Sequence, residues 1–146
     1  MHLSATYAFD APAEAVWALL MDADRVAACL PGCKGLHPIG DDRYEAELAV
    51  AVAAISGNFK GTIALQDKNP PRSYRLVVEG TGRPGFLKGT AQVTLAPDGE
   101  RTAVQIEADA EAGGMIARVG QRLLEGVARM TMDRFYGCLA AQFKKS

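Results

Sequence analysis

Few side chains in this sequence could support acid–base or metal chemistry. There are only two histidines, His2 and His37, and neither belongs to a Ser/His/Asp or Cys/His arrangement that would activate a nucleophile. Residues 29–33 begin and end with cysteine and precede His37, but this spacing matches no common zinc pattern and lacks a fourth ligand. We therefore expect no metal site and no cofactor, and we interpret both histidines as surface or edge residues.

Carboxylates and glycine-rich fragments also form no catalytic or nucleotide-binding pattern. Glu107, Asp109 and Glu111 occupy alternate positions, as on the solvated face of a strand, and do not indicate a catalytic carboxylate pair. Neither Gly80–Gly82 nor Gly113–Gly114 has the pattern of a strand-to-helix phosphate loop. With 16 basic and 17 acidic residues the net charge is -1, so the basic excess of a nucleic-acid-binding domain is missing. We expect no nucleotide site and no nucleic-acid partner.

The composition is that of one globular domain over residues 1–146. Hydrophobic residues make up 49% and charged residues 23% of the chain. The longest uncharged stretch, residues 48–59, is too short for a membrane-spanning helix, which needs about 20 residues. No Lys or Arg precedes Arg25, so the start lacks the pattern of a secretion signal and we expect a cytoplasmic protein. The cysteines number three, and an odd count favours reduced thiols over a disulfide framework.

The first third of the chain predicts one strand and two short helices. Residues 2–9 alternate apolar and polar side chains, which is the period of a strand. Pro12 favours the first turn of a helix. Asp22 or Asp24 can cap a second short helix, which reaches about Cys29.

The rest of the chain predicts hairpins followed by a long helix. Period-two alternation continues over residues 35–111, interrupted by short turn signals, and predicts six more strands. Connections this short cannot hold crossover helices, so the strands must pair antiparallel. From Met115 the period becomes helical and predicts one helix over about residues 114–143, on the order of 45 Å long. The predicted fold class is α+β, a curved seven-stranded antiparallel sheet around a long C-terminal helix.

Small residues recur on the side of the strands that should face the long helix, as at Gly61 and Gly80. Because empty space in a core costs roughly 24 cal/mol per Å³, something must compensate for the missing side-chain volume. One interpretation is close approach of helix and sheet, with glycine bulges that bend the sheet; the other is a cavity for an apolar ligand. The helix contains Gly120, Gly126 and Gly137, each costing about 1 kcal/mol relative to alanine, which also indicates a packing or binding reason.

Several short motifs follow one another in a definite order along the chain. They are Phe9–Pro12 with Val16-Trp17, Cys29–Gly32, Gly57–Gly61, Gly80–Gly82 with Gly85–Gly89, and Gly113–Gly120. In this order and spacing they resemble the G-subunit family of carbon monoxide dehydrogenase over essentially the whole chain. The resemblance implies a START-like, polyketide-cyclase-like domain with a helix-grip fold, which agrees with the predicted element order.

The resemblance also implies a function. It predicts a non-catalytic accessory protein of a carbon monoxide dehydrogenase-type molybdenum enzyme, which helps to attach the enzyme to the membrane and handles a lipophilic quinone. The expected partners are that enzyme, a hydrophobic small molecule such as a quinone or lipid, and the inner face of the membrane as a peripheral contact. Longer family members continue into a C-terminal extension associated with the membrane. Residues 1–146 do not include such an extension, so the resemblance does not imply stable anchoring.

We predict that the ligand binds between the long helix and the sheet. The predicted wall residues are Phe59, Leu76, Val78 and Phe86 on the sheet and Val119, Leu123, Val127 and Met130 on the helix. Two other functions remain open. One is a docking module for a molybdenum enzyme that binds no small molecule, and the other is a cyclase- or hydrolase-like enzyme, for which the inward positions offer only Tyr44 and Tyr74.

Overall fold

Seven strands form one antiparallel sheet in the computed structural model, which describes residues 1–51 and 56–143. The strands are β1 (His2–Phe9), β2 (Cys33–Gly40), β3 (Arg43–Val50), β4 (Gly57–Asn69), β5 (Ser73–Gly82), β6 (Gly85–Asp98) and β7 (Arg101–Gly113). Their spatial order is β1-β7-β6-β5-β4-β3-β2. From β2 to β7 each strand therefore pairs with its neighbour in sequence, which confirms the predicted hairpins, and β1 lies at the edge beside β7.

Two short helices, α1 (Ala13–Leu20) and α2 (Ala23–Cys29), connect β1 to β2. Pro12 has extended backbone angles and immediately precedes the first helical residue of α1. The side chain of Asp22 caps α2 by accepting a 3.2 Å hydrogen bond from the backbone N–H of Arg25, which confirms one of the two predicted caps.

The predicted single helix over residues 114–143 is wrong. A 3-10 helix, Gly114–Val119, comes first, and the long helix α3 covers Gln121–Ala141. Gly120 separates them because its φ of 96° and ψ of 148° lie far from helical values. The 3-10 turn is held to the β5–β6 hairpin, where the backbone N–H of Ile116 donates a 2.8 Å hydrogen bond to the carbonyl of Pro84. With 21 residues, α3 is about 32 Å long.

The alternation predicted for the strands is confirmed at β7. Val104 and Ile106 are buried on the face toward the helices, whereas Glu107, Asp109 and Glu111 are exposed on the other. A one-residue slip would exchange the two faces, so this pattern fixes the register of β7 against its neighbours.

The buried apolar side chains form two clusters. The larger one joins α1, β1, the central strands and the second half of α3, and includes Phe9, Val16 and Leu139. The second cluster, centred on Phe59 and Ile116, joins the 3-10 helix and the start of α3 to the other end of the sheet. The space between sheet and helices is therefore filled at both ends by the protein's own side chains.

The prediction of reduced cysteines is wrong for two of the three. Cys29 at the end of α2 and Cys138 in α3 form a disulfide, with Cα atoms 5.5 Å apart, while Cys33 is free. The two sulfurs meet because α2 packs on α3, where the guanidinium of Arg25 also donates a 2.9 Å hydrogen bond from Nε to Oε1 of Gln142. A contact between residues 109 positions apart leaves no local signal in the sequence.

The disulfide determines how many thiols of the unfolded chain can react. We expect one reactive thiol per chain after unfolding without reductant and three after reduction, measured by a colorimetric thiol assay. Reduction should lower the free energy of unfolding by about 2–4 kcal/mol, because the bond closes a long loop in the unfolded chain. Three thiols without reductant would show that the bond is not formed.

Alanine substitutions at Gly120 and Gly126 should have opposite effects on stability. A Cβ at Gly120 or Gly126 would have no neighbour within 4 Å, so the substitutions differ mainly in backbone conformation. Gly126→Ala should raise the free energy of unfolding by about 1 kcal/mol, because alanine favours a helix interior. Gly120→Ala should lower it, because its positive φ disfavours any Cβ. Denaturant titration of the two variants and the parent would measure both changes, and equal effects would contradict the break at Gly120.

Candidate ligand-binding site

An apolar cavity of about 150 Å³ lies between the sheet and the helices and is partly open to solvent. Its floor is the concave side of β3, β4 and β5, with the side chains of Tyr44, Ile63, Leu65, Tyr74, Leu76 and Val78. An apolar cavity of about this volume can bind a molecule the size of benzene. The enclosed space therefore suits one ring, and a longer molecule would have to extend through the opening.

The roof of the cavity consists of α2 and parts of α1 and α3. Ala23 and Val26 of α2 border the space together with Phe135 and Tyr136 of α3. Leu20, Met21 and Leu30 complete the roof, and Leu36 of β2 borders the cavity from the edge of the sheet. The Cys29–Cys138 bond and the contact of Arg25 with Gln142 hold α2 against α3 beside this space.

Glycines on the floor act in two different ways. A Cβ at Gly61 would collide with the backbone carbonyl of Glu79 on β5, so glycine is required there for close approach of the strands. A Cβ at Gly80 would meet only the carbonyl of Lys60, at an ordinary 3.8 Å. Gly61 and Gly80 are paired across β4 and β5, next to the pair Ile63 and Val78 that borders the cavity. The close approach at Gly61 is between neighbouring strands and not the expected approach of helix and sheet, whereas Gly80 has space beside it.

Aromatic contacts fix the two buried tyrosines of the cavity. The ring of Tyr136 stacks on that of Tyr7 with centroids 4.8 Å apart, and Tyr74 meets Trp17 edge-on at 5.5 Å. Burial raises the pKa of Tyr74, and burial together with the nearby Tyr74 and Tyr7 raises the pKa of Tyr136 well above its usual value. Both hydroxyls are therefore protonated at neutral pH and can donate hydrogen bonds.

No Asp, Glu, Lys, Arg or His lines the cavity among the described residues. His2, which contacts two carboxylates, lies on the outer face of the sheet, and 57% of its side chain is exposed. Hydrogen bonds to Asp109 and Glu107 raise the pKa of this imidazole, and Ser4 donates a 2.7 Å hydrogen bond to Glu107. In residues 1–51 and 56–143 no group of three or more metal-ligating side chains is placed to hold an ion.

The structure distributes the eight predicted wall residues over three places. Leu76 and Val78 border the cavity on β5. Phe59, Val119 and Val127 lie in the second cluster, where they pack around Ile116. Phe86, Leu123 and Met130 are exposed to 37%, 39% and 37%.

The cavity residues on α2 and on the second half of α3 were not among the predicted wall residues. Ala23, Val26 and Leu30 are spaced three and four residues apart, which is an apolar stripe of one helical face. That stripe was a usable signal that α2 faces an apolar space. Phe135 and Tyr136 fall within the predicted helix, but its period does not show which half lies over the cavity.

The chain is similar to a known protein family over almost its whole length. The family model described as the G subunit of carbon monoxide dehydrogenase (CoxG) matches residues 6–144. The match extends from β1 to the end of α3 and so includes every element that borders the cavity. No curated protein matches the chain.

Solved structures of similar shape agree with this match. A conserved protein from Geobacillus kaustophilus is 34% identical, with a TM-score of 0.95, over 98% of this chain and 95% of that chain. A START superfamily protein from Mycobacterium smegmatis is 19% identical, with a TM-score of 0.71, over 97% of this chain and 96% of that chain. The Zhui aromatase/cyclase from Streptomyces sp. R1128 is 17% identical, with a TM-score of 0.70, over 97% of this chain and 92% of that chain. These last two likenesses show the fold alone, which is the expected START-like helix-grip fold.

Proposed function

The chain belongs to the CoxG family of carbon monoxide dehydrogenase, and on that basis we propose that it is a non-catalytic accessory protein that carries a hydrophobic ligand. The ligand is a quinone or a lipid, and the proposed partner is a carbon monoxide dehydrogenase-type molybdenum enzyme. The family supports the partner, and the cavity supports the ligand. Fold likeness supports neither by itself, because this fold hosts several functions.

The observation that carries the proposal is the apolar, partly open cavity under α2. Burial of apolar surface contributes about 25 cal/mol per Å², so a ring-sized molecule can bind there without charged contacts. A pure docking module would have no use for such a space. The cavity therefore favours the ligand-carrying function over the ligand-free alternative.

The cyclase-type alternative has less support from the same site. Acid–base catalysis needs a group such as a carboxylate or imidazole within hydrogen-bonding reach of the substrate. The lining of the cavity has none in the described part of the chain, and its polar side-chain groups are the hydroxyls of Tyr44, Tyr74 and Tyr136. This composition supports binding rather than turnover.

Filling the cavity should abolish binding. Ala23→Phe places a ring in the roof of the cavity, whereas Ala28→Phe makes the same change at an exposed position of α2 outside the cavity. We expect N-phenyl-1-naphthylamine, a neutral apolar dye, to bind the parent protein with increased fluorescence. Ala23→Phe should weaken its affinity by about tenfold or more, and Ala28→Phe should leave it unchanged. Equal affinity in all three proteins, or no binding by the parent, would refute the proposal.

We further propose a peripheral membrane contact at the tip of the β5–β6 hairpin. Phe86, Leu87 and Met115 are exposed there to 37%, 37% and 58%, and the ring of Phe86 lies against Gly113. Exposed apolar side chains grouped in this way favour an interaction surface. No helix of the described residues has the length and apolarity to cross a bilayer.

The charges around these apolar side chains favour an anionic bilayer. Arg83, Lys88 and Arg118 are exposed in the same segments, and the ammonium of Lys88 lies 5.6 Å from the centre of the Phe86 ring. Two carboxylates, Glu79 on β5 and Glu111 on β7, face Lys88 across its strand pairs, which leaves the cations in excess. Each cation near an anionic surface contributes about 1 kcal/mol of attraction.

A glutamate substitution on the tip should weaken vesicle binding. We expect the protein to co-sediment with phosphatidylglycerol vesicles more than with phosphatidylcholine vesicles, and less as salt is added. Met115→Glu should reduce co-sedimentation severalfold, because it places a charge on the apolar surface. Ile39→Glu, at another exposed apolar residue on β2, should not. Equal loss in both variants would contradict a contact at this tip.

A further inference from the structure

Two buried tyrosine hydroxyls of the cavity have no hydrogen-bond partner in the part of the chain that the structure describes. Tyr74 and Tyr136 are only 3% and 5% exposed, and in residues 1–51 and 56–143 no protein group pairs with either hydroxyl. Tyr7 differs, because its hydroxyl donates a 2.7 Å hydrogen bond to Asp133. Buried hydroxyls are normally hydrogen-bonded, so two unpaired ones beside one cavity require an explanation.

Both hydroxyl oxygens border open space. Among the described residues, no side-chain oxygen or nitrogen that is sealed from solvent lacks a partner. The oxygens of Tyr74 and Tyr136 must therefore reach a space that a small molecule can enter, and the space that both residues line is the cavity. Among the described residues, Tyr74 and Tyr136 are thus the two buried tyrosines of the lining, and each can donate a hydrogen bond for which the protein supplies no acceptor.

We infer that Tyr74 and Tyr136 bind the polar end of the ligand, by donating hydrogen bonds to carbonyl oxygen on a neutral ring. The inference rests on the proposed function and narrows the class of ligand. A carboxylate or phosphate headgroup does not fit the buried part of the site, because no cation of residues 1–51 and 56–143 lines it. A hydrocarbon fits the volume but leaves both donors unsatisfied.

The surroundings keep both donors neutral and in place. Stacking on Tyr7 and edge-on contact with Trp17 fix the directions of the two rings. Because the pKa of each hydroxyl is raised, both hydroxyls are protonated and neutral at neutral pH. Each can therefore donate a hydrogen bond. A rigid pair of donors in an apolar space selects a ligand by the position of its acceptors.

The test compares two ligands of similar size, one with two ring carbonyl groups and one with two ring C–H groups in their place. Duroquinone and durene share a ring with four methyl groups, and duroquinone has no ring hydrogen that the free thiol of Cys33 could replace. Their affinities can be measured by titrating their methyl resonances in NMR spectra. We expect the parent protein to bind duroquinone more tightly than durene by about tenfold or more, because only duroquinone pairs with the hydroxyls.

Phenylalanine substitutions then assign the preference to the two hydroxyls. Tyr74→Phe and Tyr136→Phe should each weaken duroquinone binding about fivefold and leave durene binding unchanged. Tyr7→Phe is the matched control, because its hydroxyl lies outside the cavity lining and pairs with Asp133. Thermal unfolding midpoints of the first two variants should not fall, because no hydrogen bond within the protein is lost.

Each result has one meaning. If durene binds as tightly as duroquinone, or if the two phenylalanine variants keep the preference for duroquinone, the inference about the hydroxyls is wrong while the ligand-carrying function stands. If neither compound binds and Ala23→Phe also has no effect on dye binding, the proposed function itself fails. Lower unfolding midpoints in Tyr74→Phe or Tyr136→Phe would assign the hydroxyls a structural role and overturn the inference.

Discussion

The attachment of α2 to α3 determines where the protein can hold a ligand. α2 has only 7 residues, too few to be stable alone, and it is held by the Cys29–Cys138 bond and by Arg25. With α2 fixed there, its apolar face covers β3 to β5, and the cavity remains between them. The two apolar clusters pack the ends of the sheet against α3 and leave this space unfilled. The position of the site is thus a property of helix–helix contact rather than of any one motif.

Local pattern was sufficient to predict most of the fold but not the position of the cavity. Strand alternation and turn residues act over a few positions, so the hairpins, the Asp22 cap and the end of α2 could be predicted. The break at Gly120 could not, because apolar residues keep the helical period on both sides of it while its backbone angles interrupt the helix. The disulfide could not either, because it depends on a contact between distant residues. The predicted walls on the sheet included Leu76 and Val78, which border the cavity. Those on the helix lay between Val119 and Met130, whereas Phe135 and Tyr136 of the second half of α3 border it.

This domain shares its fold with its structural neighbours, whereas the side chains that line the cavity belong to this chain. The fold is common to a START superfamily protein and to an aromatase/cyclase at under 25% identity. Such a fold supplies a concave sheet and a covering helix, and the side chains that line the space decide what is bound or transformed. In this chain the floor and roof are aliphatic and aromatic, with hydroxyls in place of charges. The proposal of a hydrophobic ligand rests on these groups.

The same disulfide has a mechanical consequence. It joins residues 109 positions apart, so strands β2 to β7 all lie inside one covalent ring, while β1 and α1 lie outside it. A pulling force applied at the two ends of the oxidised chain passes through the sulfur–sulfur bond and bypasses everything inside the ring. The extension at full stretch would then come from the residues before Cys29 and after Cys138 alone, and the ring could not lengthen until the bond was broken.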